Sequence, residues 1–90
     1  MEEIMNKEIL ENRERIDATD DQIFDLLLKR LYAVSAIGHI KRLEGLPVLD
    51  QERENAIYAK IDARFSAAEA SFLKSIYQSI ITESKKVEEL

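Results

Sequence analysis

The sequence predicts an all-α protein of three helices, one very long, one short and one medium, working as a homodimer. Three observations carry this. Proline occurs once and glycine twice in 90 residues, and the proline and one glycine fall together in a single turn between candidate helices. Apolar residues repeat at helical spacing throughout, with no alternating strand pattern. The first helical stretch is too long for a chain of this size to cover by itself.

That first stretch runs from about Met5 to Glu44, a proline-free run of good helix formers interrupted only by Gly38. About 40 residues of helix span about 60 Å, whereas a compact chain of this length has a radius of gyration near 12 Å. Its apolar row repeats at seven: Ile9, Ile16, Ile23 and Ile37, flanked by Leu26, Leu27, Val34 and Ile40. Such a seam suits a second long helix. Gly45, Leu46 and Pro47 end the helix, because glycine accepts a left-handed cap and proline cannot continue the hydrogen-bond ladder.

Asp50 suits the N-cap of the second helix, with Glu52 and Glu54 in a first turn where the helix dipole favours acids. This short helix reaches about Arg64. Ser66 followed by Glu69 fits a capping box that opens the third helix. Phe72, Leu73, Ile76, Tyr77, Ile80 and Ile81 are the expected inner face of that helix.

Composition narrows the function. Residues 1–90 read as one domain whose small core needs a staple. There is no cysteine and a single histidine, so disulfides are excluded and a metal site is not expected. Association with a second chain is the remaining solution. A net charge of -5 argues against general nucleic-acid binding, which draws on basic groups. No apolar run is long enough for a membrane span and the amino-terminal MEEIMNKEIL is acidic rather than signal-like, so a cytoplasmic protein is expected.

Charges fall where the pattern wants apolar groups. The row Ile9, Ile16, Ile23 lands next on Arg30, and a buried arginine needs an anionic partner. Lys41 follows about three turns later on nearly the same face. Arg53 shares a four-residue stripe with Ile57 and Ile61, and the stripe of Tyr77 and Ile81 continues into Ser84 and Glu88. Two explanations remain open on periodicity: pairing with a carboxylate of the chain, Glu54 or Glu88, or an anionic ligand held by several cations.

These residues carry a resemblance. RERID from Arg13 to Asp17, Arg30, Lys41, D-x-x-R-E from Asp50 to Glu54, and S-x-x-x-E from Ser84 to Glu88 together resemble the all-helical, type II chorismate mutases across nearly the whole chain. The resemblance implies an intertwined dimer of three-helix protomers that converts chorismate to prephenate with no cofactor and no metal. It implies that Arg30 and Arg13 of the partner protomer each grip a substrate carboxylate. Lys41 would donate to the ether oxygen and Glu54 would accept from the ring hydroxyl. Asp50 would orient that neighbourhood, Arg53 and Ser84 would support the pocket, and Glu88 would be the second group at the ether oxygen.

Helix geometry adds a constraint. Arg13 and Lys41 are 28 residues apart, about 42 Å along one helix, too far to meet on one small molecule within a chain. A second, antiparallel chain is required. The reaction, a concerted Claisen rearrangement, needs neither nucleophile nor proton shuttle, only a held dianion and stabilised charge on the ether oxygen.

Two departures from the family pattern stand out. Glu88 occupies a position where many relatives carry glutamine, and as a carboxylate it would repel the developing oxyanion, so it must be protonated to help. The segment from Glu54 to Ser84 is about two residues shorter than in well-known relatives. His39 is expected on the surface or at an interface, and Lys85 with Lys86 at a solvated helix end. Rival expectations are an isochorismate pyruvate lyase of the same fold, disfavoured by Glu54, and a non-catalytic helical dimerisation or regulatory domain, disfavoured by the inward cations.

Overall fold

The computed structural model describes residues 6–90. They form three helices, α1 (Lys7–Glu44), α2 (Gln51–Arg64) and α3 (Ala67–Glu88), and no strand among the described residues. The expected start of α1 at Met5 lies outside the described residues. Helix ends follow local chemistry closely. Glu8 sits in the first turn of α1 and Lys41 and Arg42 in its last, where each sign complements the dipole. Gly45 then takes φ +68°, and the Leu46 N–H donates to the Lys41 carbonyl at 2.8 Å. That is the six-to-one bond of a Schellman cap, which explains why glycine stands there.

Asp50 caps α2, its carboxylate accepting from the Arg53 N–H at 3.0 Å. Ser66 and Glu69 form the reciprocal capping box of α3, with both bonds at 3.2 Å. Two expected helix starts are thereby satisfied, because a cap needs only three or four neighbouring residues to form.

The chain divides into two compact units, one ending at Tyr32 and one spanning Ala33–Leu90, with the boundary inside α1. In the second unit the buried apolar core is Ile57 and Ile61 from α2 with Ala70 and Ile81 from α3, flanked by Tyr58, Leu73 and Tyr77. The inner face of α3 therefore differs from the expectation. Phe72 and Ile76 are exposed, and Ala70 is among the most buried residues. Ala70, Leu73, Tyr77 and Ile81 follow three- and four-residue steps and form one stripe, whereas Phe72 and Ile76 lie about 100° around the helix.

Arg53 is a second correction. It shares its stripe with the buried Ile57 and Ile61, yet it is exposed. It lies in the first turn of α2, where the stripe runs off the helix end and a long charged side chain keeps its head in water.

In the unit ending at Tyr32, the expected seam of α1 is uncovered. Ile9, Ile16 and Ile23 are 48%, 56% and 44% exposed, and Phe24, Leu26, Leu27, Leu28 and Leu31 are exposed with them. Fully burying a large aliphatic side chain is worth roughly 1.5–3 kcal/mol, and about half of that remains at side chains half exposed, so the row as a whole favours association. No helix among the described residues is long and apolar enough to cross a membrane.

Candidate functional site

Within Ala33–Leu90, the end of α1, the start of α2 and the end of α3 bring two half-buried charge pairs together. Lys41 is the centre of the first. Its Nζ donates to Glu88 Oε1 at 2.7 Å and to the Val48 carbonyl at 3.0 Å. The two side chains are 18% and 13% exposed. The capped turn after α1 is what brings the Val48 carbonyl back over the last turn of that helix.

Glu88 is held at its backbone as well. The Arg42 guanidinium donates to the Glu88 carbonyl at 2.8 Å, satisfying an acceptor that a helix end otherwise leaves orphaned. Gly38 is buried beneath. A β-carbon at Gly38 would stand 2.9 Å from Glu88 Cα and 3.3 Å from its carbonyl oxygen, so only glycine lets α3 come this close.

The second pair is Glu54 with Lys85. Lys85 Nζ lies 3.1 Å from Glu54 Oε1, while Glu54 Oε2 is buried and accepts no hydrogen bond. Lys85 and Glu88 are three residues apart on α3 and so share a face. The two pairs occupy adjacent turns.

The other predicted residues have plainer surroundings. Asp50 serves as the α2 cap described above, and Arg53 faces solvent. Ser84 is half-buried and donates to the Ile80 carbonyl at 2.7 Å. Arg13 is exposed and Arg30 half-buried in the unit ending at Tyr32. His39 is exposed, as its face of α1 implied.

Lys85 was missed. Of the two lysines assigned to a solvated end, Lys86 fits, being exposed and paired with Glu83 at 3.1 Å. Lys85 does not. Its signal was available: it stands four residues beyond the buried Ile81, on the inner stripe. Nothing in the pattern announced the Val48 carbonyl or the Arg42 contact, which depend on chain reversal.

The chemistry on offer is recognition of anionic oxygen. An ammonium has three donors, and the two protein oxygens engage two of those on Lys41. Its remaining N–H is thus aimed by fixed partners, a preorganised donor rather than a mobile one. Glu54 Oε2 offers the complementary acceptor. Among the described residues no group of three or more His, Cys, Asp or Glu stands together as a metal site would require.

Comparison with known proteins agrees with the motif pattern. The chain is 34% identical over 80 residues to a 4-amino-4-deoxychorismate mutase of Streptomyces pristinaespiralis, covering 86% of this chain and 61% of that protein. It is 30% identical over 82 residues to a T-protein of Enterobacter agglomerans, covering 89% of this chain and 22% of that one. A chorismate mutase of Methanocaldococcus jannaschii is 35% identical over 57 residues, 63% of this chain and 58% of the relative. The chain thus spans less than two thirds of the length of each. No solved structure matches. The family model for chorismate mutase type II matches residues 12–89, and the chain belongs to that family.

Proposed function

We propose that the chain catalyses the rearrangement of chorismate to prephenate, in the synthesis of phenylalanine and tyrosine, as a cytoplasmic homodimer whose sites draw on both protomers. One observation carries the reading: in a member of this family, the ammonium of Lys41 is half-buried and fixed by two oxygens with a donor to spare. In the proposed complex that donor meets the ether oxygen as negative charge grows there, and Glu54 Oε2 accepts from the ring hydroxyl.

Charge balance supports a site completed from outside Ala33–Leu90. Lys41 is balanced by Glu88 and Lys85 by Glu54. A dianion needs further positive charge. Arg30 and the Arg13 of a second protomer are the proposed sources, each presenting a planar fork that suits a carboxylate. The uncovered apolar row along Ile9, Ile16 and Ile23 supports pairing with a second long helix.

Subunit complementation tests both activity and sharing. Arg13→Ala and Lys41→Ala homodimers should each be inactive toward chorismate, and mixing them with subunit exchange should restore one competent site per heterodimer. No recovery after demonstrated exchange refutes the shared site. A second reading follows from the name of the Streptomyces relative, the same rearrangement on a ring that carries an amino group in place of the hydroxyl.

A further inference from the structure

The two charge pairs are not equivalent. The carboxylate of Glu88 is spent on Lys41. Glu54 is divided: Oε1 meets Lys85 at 3.1 Å, and Oε2 is buried with no donor. A buried acceptor in that state is costly, and a ligand donor would recover the loss. The question is which donor.

A bare carboxylate would prefer a cation, because charge-assisted hydrogen bonds are the stronger ones. Lys85 changes that preference. Its ammonium already neutralises the carboxylate from one oxygen, so a second cation on the other oxygen would stand only about 6 Å from it. At that separation, with an effective dielectric between those of protein surface and water, like unit charges repel by about a factor of ten in binding. Lys85 is 36% exposed, and this solvent access keeps the effect near tenfold rather than a hundredfold. A neutral hydroxyl pays no such penalty and still satisfies Oε2.

We propose that Lys85 is a specificity-determining residue: paired with Glu54, it selects a ligand whose ring bears a neutral hydroxyl over the analogue bearing an ammonium. The proposal rests on the reading above that Glu54 faces the ring substituent. The role is one of discrimination, since Lys85 acts through Glu54 and the charge-balanced pair contributes little to gripping the ligand's carboxylates. An amine on such a ring is cationic at neutral pH, as ordinary alkylamines are.

The test compares kcat/KM for chorismate and for 4-amino-4-deoxychorismate with the purified full chain, in wild type, Lys85→Gln and Lys85→Arg. The expected wild type prefers the hydroxyl substrate. Lys85→Gln should move the ratio about tenfold toward the amino substrate, and Lys85→Arg, which keeps the charge, should hold the wild-type ratio. Raising salt should erode the wild-type preference; this arm uses the wild type alone and stands even if a variant fails to fold. An unchanged ratio in Lys85→Gln, a salt-independent wild-type ratio, or a wild type that prefers the amine overturns the proposal. Turnover of neither substrate by wild type would instead overturn the function on which it rests.

Discussion

Replacing Gly38 by alanine sets two well-defined effects against each other. Alanine is worth about 1 kcal/mol more than glycine in a helix interior, and Gly38 lies well inside α1. Propensity alone therefore predicts a more stable protein. Against this, the added carbon would stand 2.9 Å from Glu88 Cα and 3.3 Å from its carbonyl oxygen. Both are backbone atoms, so no flexible side-chain tip can swing away. Restoring ordinary contact requires the last turn of α3 to retreat by about half an ångström, and overpacking of this kind costs about 1–3 kcal/mol. The expected net is a loss of about 1 kcal/mol. Chemical denaturation at fixed protein concentration reads it, the concentration being held because association shifts apparent stability. The retreat also carries Glu88 away from Lys41, now 2.7 Å distant. Displacements of about 1 Å at a reacting site cost about a hundredfold in rate, so half that displacement should lower kcat about tenfold. A Gly38→Ala protein that gains the full propensity term and turns over at the wild-type rate would refute the close approach.

Two further outcomes follow from other contacts. Ser66→Ala removes both the Oγ acceptor for the Glu69 N–H and the anchor of the capping box; the expected loss is about 1 kcal/mol, with activity per folded molecule unchanged, read by thermal unfolding alongside turnover. Glu88→Gln keeps an oxygen acceptor for the Lys41 ammonium but removes the negative charge that balances it, so KM for the chorismate dianion should fall severalfold in steady-state kinetics, and a KM unchanged or raised contradicts the pairing.

What could be read from the sequence divides by range of interaction. Asp50, Ser66 with Glu69, and Gly45 were legible as helix punctuation because each acts on residues within four positions of itself. The α1 row at Ile9, Ile16 and Ile23 is legible as one helix face because period alone defines it, and that face is exposed in the single chain. Lys41 and Glu88 fall on inward stripes of the sequence and are half-buried, as is Glu54. Partners were not legible. Periodicity identifies a face but not what that face meets, so it left Glu54 and Glu88 as interchangeable partners for any cation, when Glu54 meets Lys85 and Glu88 meets Lys41. Arg53 shows the converse failure: a stripe extrapolated back into the first turn of α2 predicts burial where the core has already ended.

The carboxyl-terminal turn of α3 is where these ranges meet. A helix end with solvent around it frays unless something ties it down, and a residue placed there is a poor foundation for catalysis. Glu88 is tied at three different atoms by one face of α1. Gly38 backs its α-carbon, Arg42 takes its carbonyl, and Lys41 takes its carboxylate. Positions 38, 41 and 42 are related by steps of three and four, so a single stripe supplies all three contacts. Lys41 is in turn fixed by the Val48 carbonyl, whose place depends on the reversal at Gly45 and on Pro47, which holds the preceding residue extended. The turn, the end of α1 and the end of α3 therefore constrain one another through Lys41. Loosening any one of them should be felt at the same ammonium, because its geometry is the shared variable of all three.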